Sequence, residues 1–81
     1  MDKLTLNLDK LHTTELGALR IRKNLELHVD DVVKWCKVKI KNPQCFIERR
    51  GKNWYAQIDK CVITINAHSY TIITAHKCKS I

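Results

Sequence analysis

The feature that most constrains this chain is a change of period at Asn42-Pro43. Before it, apolar residues recur every three or four positions; after it, they alternate with polar ones. A helical half followed by a β half, with no return to helix, predicts an α+β domain rather than alternating βαβ units. At 81 residues the chain has room for one thin core, so we expect a single domain over 1–81 built of two layers.

Within the helical half, Thr13 or Thr14 can cap a helix that Glu15 supports in its first turn, reaching about Leu25 with Ala18, Ile21 and Leu25 on one side. Gly17 weakens it slightly, and Leu16 and Leu19 point elsewhere, which predicts cover on more than one side. A second helix starts at Asp30 as N-cap, with Val29, Val33, Cys36 and Ile40 as its core stripe. Lys34, Lys37 and Lys41 repeat away from that stripe. Ahead of both, Leu4, Leu6 and Leu8 suit a short strand, while Leu8 and Leu11 suit a helical turn.

Beyond Pro43 the pattern predicts strands at Cys45–Arg49, Asn53–Ile58, Cys61–Asn66 and Tyr70–His76, joined by short turns at 50–52, 59–60 and 67–69. Such connections make an antiparallel meander. Trp54, Ala56, Ile58, Ile63 and Ile65 form its helix-facing side; Tyr55, Gln57, Thr64 and Asn66 face away.

The charge is lopsided. Residues 1–27 carry five Lys or Arg against four Asp or Glu, and residues 28–81 carry ten against four, so six of the seven excess positive charges fall after His28 begins. A basic surface of this kind attracts phosphate polymers by counterion release, which makes nucleic acid, RNA ahead of DNA, the expected partner. No apolar run reaches the roughly 20 residues of a membrane span, and no secretory leader pattern opens the chain, so the expectation is a cytoplasmic protein without a membrane partner. Cys36, Cys45, Cys61 and Cys78 lack paired Cys-x-x-Cys spacing, and carboxylates do not cluster, so neither a metal nor another cofactor is expected.

In a meander alternate turns lie together, which gathers Arg49, Arg50, Lys52, Asn53, Asn66, His68 and Ser69 at one end. Asp59, Lys60, His76 and Lys77 fall at the other. At about 3.3 Å per residue, His68 and His76 stand roughly 26 Å apart and do not form one dyad. Metal-free RNA cleavage needs a base, an acid and cations around the phosphorane. The candidate loci are therefore His68 with Arg50 and Lys52, or His76 with Thr74. Binding residues are Arg49, Arg50, Lys52, Asn53 and Tyr55, and on the second helix Lys34, Lys37 and Lys41.

Three phrases carry a likeness: Leu11-His12-Thr13-Thr14-Glu15-Leu16-Gly17 with Arg20-Ile21, then Gly51-Lys52-Asn53-Trp54-Tyr55, then Asn66 through Lys77. Together they resemble a small bacterial domain family of unknown function, found in Firmicutes-type genomes. The closing Ile73-Thr74-Ala75-His76 more remotely resembles the last strand of the barnase, EndoU, colicin and RelE-like ribonucleases. That second likeness implies a toxin-type, metal-independent ribonuclease with Thr74 and His76 on its functional strand. Two other classes stand beside it. One is a non-enzymatic nucleic-acid-binding module of winged-helix type, with the lysine helix in a groove and the 50–52 turn as wing. The other is a protein-binding phage or defence regulator, whose partner would be an antitoxin or defence component.

Overall fold

A computed structural model describes residues 3–78, ordered as helix α1 (Lys3–Leu6), a 3-10 turn (Leu8–Lys10), α2 (Glu15–Leu25), α3 (Val32–Lys41) and strands β1 (Phe46–Arg50), β2 (Asn53–Ile58), β3 (Cys61–Asn66) and β4 (Ile72–Lys77). The break at Asn42-Pro43 is where helix yields to strand, as the period change predicts. Asn42 turns to an extended conformation, its side chain accepts from the Gln44 amide, and its carbonyl accepts from that of Cys45. The strands form one sheet in the order β1-β2-β3-β4, and every pair is antiparallel. No helix among the described residues is long and apolar enough to cross a membrane.

The opening leucines choose the helical alternative. Leu4, Leu8 and Leu11 are buried at helical spacing, while Leu6 points outward. Thr14, not Thr13, caps α2 by accepting from the Gly17 amide at 3.0 Å. Thr13 has a different task, donating its hydroxyl to the Ile72 carbonyl of β4 at 2.9 Å. Near the other end of α2, the Asn24 amide donates to the Ala75 carbonyl at 3.2 Å. The helix therefore runs along β4 and occupies acceptors on that edge of the sheet.

Leu16 and Leu19 are 67% and 58% exposed, so α2 is covered on one side only, contrary to expectation. Its buried residues, Gly17, Ile21 and Leu25, are spaced four apart and satisfy a single narrow stripe. The start of α3 shifts by one residue from Asp30. Asp31 is the cap, accepting from the Lys34 amide at 2.9 Å. That phase buries Val32, Cys36 and Ile40, leaving Val33 half-buried and Val29 in the preceding loop.

Both ends of β1 and both ends of β4 differ from expectation by one or two residues. β1 reaches Arg50 because Gly51, at φ 59°, lets a two-residue turn close directly on Asn53. β4 starts late because Tyr70 is held at φ 62° and Thr71 makes an isolated parallel bridge with His12 instead. The helix-facing side of the sheet carries Trp54, Ala56, Ile58, Ile63, Ile65, Ile72 and Ala75, all buried. All but Ile58 join the leucines and the residues of α2 and α3 in one core.

Candidate functional site

The helices cover one face of the sheet, so alternation fixes what the other face shows. Cross-strand register gives three rows there. Arg50, Asn53 and Asn66 make one row, Glu48, Tyr55, Thr64 and Thr74 the next, and Phe46, Gln57, Val62 and His76 the third. Thr64 is buried in spite of facing outward, because Tyr55 and Thr74 flank it directly in register. Four of the expected site residues, Asn53, Tyr55, Thr74 and His76, thus share one face with Arg50.

At the end where β1 turns into β2, the Arg50 guanidinium lies over the Tyr55 ring, 4.3 Å from its centre. Glu48 steadies it at 3.5 Å from Nε. Beside them the Asn53 amide nitrogen sits 3.5 Å from the Tyr55 hydroxyl, and Asn53 Oδ1 is a buried acceptor with no partner among the described residues. Tyr55 remains half-exposed. A cation-backed aromatic ring on an open sheet is a stacking platform for a planar base.

The two turns expected to be neighbours do meet, since the Ala67 amide donates to the Lys52 carbonyl at 2.8 Å. Lys52 and His68 are both exposed there. Arg49 belongs to the opposite face. Its guanidinium stacks 5.8 Å from the Trp54 ring centre and its Nε donates to the Gly51 carbonyl. The stack continues from Trp54 to Tyr70, 5.2 Å away, and to the Lys10 ammonium, 5.5 Å beyond Tyr70. These contacts hold Tyr70 in its left-handed conformation, which a bulky residue rarely adopts. Asn66 and Ser69 shape the turn itself: Asn66 Oδ1 accepts from the amides of His68 and Ser69 and lies 3.3 Å from Ser69 Oγ.

His12 is the residue at this end that local reading of the sequence misses. Its Nδ1 lies 3.0 Å from the Lys10 carbonyl and its Nε2 lies 3.0 Å from Thr71 Oγ1, which in turn contacts Ser69 Oγ at 2.7 Å. Because a carbonyl only accepts, neutral His12 carries its proton on Nδ1 and accepts a hydrogen bond from the Thr71 hydroxyl at Nε2. Thr71 is 59 residues away in the chain, beyond the reach of any spacing rule.

The histidines His68 and His76 stand at opposite ends, as the strand rise predicts. His76 pairs with Val62, near the β2–β3 turn, and is exposed on the open face. Thr74 lies two positions before it, its hydroxyl 3.5 Å from the Asn24 amide. Glu48 shares the Thr74 row but three strand spacings away, about 14 Å. That is too far for Glu48 and His76 to serve one scissile phosphate. Lys34, Lys37 and Lys41 join none of these groups, because α3 is tied to the His76 end by the Lys39–Asp59 ion pair and by its exit into β1.

Two of the four thiols, Cys36 and Cys61, are buried, Cys45 is half-buried and Cys78 is exposed. Burial, with Cys61 nearby, pushes Cys36 from 9.0 up to about 12, and burial likewise raises Cys61. Among the described residues no three His, Cys, Asp or Glu are grouped to hold a metal ion. Neither the curated proteins nor the solved structures contain a match to this chain. A family model does match it, over residues 5–76, nearly the whole described chain, and the protein belongs to the family described as "Protein of unknown function (DUF3781)".

Proposed function

We propose that this protein binds single-stranded RNA across the open face of its sheet. The observation that carries the reading is Tyr55 with Arg50 stacked on it, at the sheet end where the turns bearing Lys52 and His68 meet. Unpaired bases can lie flat against an exposed ring, and the neighbouring cations follow the phosphates. Duplex DNA fits less well, since reading a groove needs a protruding element. The lysine-bearing α3 and the β1–β2 turn, which a winged-helix reading would use together, are anchored at opposite sheet ends.

Metal-independent cleavage of the ribonuclease-toxin type is a second reading, favoured by Thr74 and His76 sharing the open face. It ranks second because the Thr74 hydroxyl is engaged by Asn24 and Glu48 is out of reach of His76.

Fluorescence anisotropy of a labelled single-stranded RNA, titrated with salt in EDTA, tests both. Binding should weaken steeply with salt, and replacing Arg50 and Lys52 together should flatten the slope by about one unit per lost phosphate contact. Tyr55→Ala should weaken binding by roughly 5- to 100-fold, while Tyr55→Phe retains most of it. Equal affinity of Tyr55→Ala and parent would remove the stacking platform from the account. Release of products ending in a 2′,3′-cyclic phosphate, lost in His76→Ala, would instead promote the cleavage reading.

A further inference from the structure

The exposed side of α3 is a second surface with its own chemistry. From Val32 to Lys41 the helix holds four lysines and no acid. With Val32, Cys36 and Ile40 turned to the core, helical geometry puts Lys34, Lys37 and Lys41 along one flank of the outward side and Trp35 and Val38 along the other. Val38 is 60% exposed. Between the two flanks lies an open furrow of about 300 Å³ lined by Val29 and Asp31 from before the helix and by Lys34, Trp35 and Val38 on it, with Lys37 and Lys41 outside its lining on the cationic flank.

We propose that this furrow docks an acidic amphipathic helix of another protein. An apolar strip beside a cationic strip is the complement of a helix with apolar residues at i, i+3/i+4 and i+7 and carboxylates along one side. The volume sits at the low end of the range for small-molecule clefts, about 300 to 1,000 Å³, and suits protruding aliphatic side chains. RNA matches it poorly. Phosphates gain nothing from Val29 and Val38, which offer only apolar surface. At ten residues α3 is about 15 Å long, so a partner helix of about three turns spans it.

This inference does not rest on the RNA reading, because the two surfaces share no residue. The probe is a labelled synthetic helix of Leu and Glu in the stated pattern, measured by anisotropy with the full chain against a scrambled peptide of the same composition. The patterned peptide should bind and the scrambled one should bind at least tenfold more weakly. Val38→Asp should lower affinity about tenfold, as should the double change Lys34→Glu with Lys41→Glu, whose exposed positions leave the fold intact as read by circular dichroism. Tyr55→Ala should leave peptide binding unchanged, and single-stranded RNA should not displace the peptide. Equal binding of the scrambled peptide, undiminished binding by folded α3 variants, or displacement by RNA would each overturn the proposal.

Discussion

Gly17→Ala should destabilise this protein, although an alanine inside a helix ordinarily gains about 1 kcal/mol over glycine. A Cβ built at position 17 would lie 2.3 Å from Thr13 Oγ1, 3.2 Å from Thr14 Oγ1 and 3.7 Å from the Ile72 carbonyl oxygen. The first contact is impossible without movement. Thr13 is β-branched and has few rotamers, so relieving the clash breaks its bond to Ile72, a loss of about 1 kcal/mol. The second presses on the hydroxyl that caps the helix, and overpacking of this kind costs about 1 to 3 kcal/mol. Against the propensity gain, the net is a loss of roughly 1 to 3 kcal/mol. Urea unfolding followed by tryptophan fluorescence should show the midpoint falling by about 0.7 to 3 M at a slope of about 1 to 1.5 kcal/mol per molar. The control is the same change made on Thr13→Ala, where the obstructing oxygen is gone: the penalty should shrink by at least about 1 kcal/mol or reverse. If Gly17→Ala matched or exceeded the parent's stability, or behaved alike on both backgrounds, close approach would not be the reason for glycine here.

Two further outcomes are expected. Because Cys36 is raised from 9.0 to about 12 in the fold, the folded state keeps a proton that the unfolded chain releases; this stability is complete below about pH 8.5 and declines toward pH 12. The slope is about 1.4 kcal/mol per pH unit, and Cys36→Ala should flatten it in alkaline urea titrations, whereas parallel pH profiles would count against a buried neutral thiol. Asp59 and Lys60 form the β2–β3 turn at φ 50° and 61°, a conformation that favours glycine, so Lys60→Gly should raise stability by about 1 kcal/mol; a lower melting temperature would contradict this.

Much of the fold is legible because it is set by local patterns. Asn53–Ile58 alternates between core and surface, and Cys61–Asn66, though buried on both faces through Ile65, keeps the alternation in its sequence; the bounds of both are those of β2 and β3. Errors gather where partners are remote. The start of β4 depends on His12 bridging to Thr71, and the role of Gly17 depends on Thr13 reaching Ile72, neither of which a window of neighbouring residues contains. The site shows the same division. Tyr55 and Arg50 share a face by register alone, so their nearness can be anticipated, but Arg49 stacking on Trp54 and Asn66 Oδ1 accepting inside its own turn depend on side-chain conformation. Leu16 and Leu19 predict a second covering layer that α2 lacks, because a surface leucine is ordinary and implies no cover.

The clamping of α2 along β4 also governs how the sheet can grow. With Thr13 and Asn24 taking the carbonyls of Ile72 and Ala75, β4 offers an incoming strand little to pair with. The opposite margin, β1, is five residues long and carries Glu48, Arg49 and Arg50, which repel an unmatched neighbour. Strand addition is therefore discouraged on both sides by different means, one steric and one electrostatic. High salt weakens only the second. Concentrated protein in high salt should self-associate through β1, while loosening the α2 clamp would open β4 to the same fate at any ionic strength.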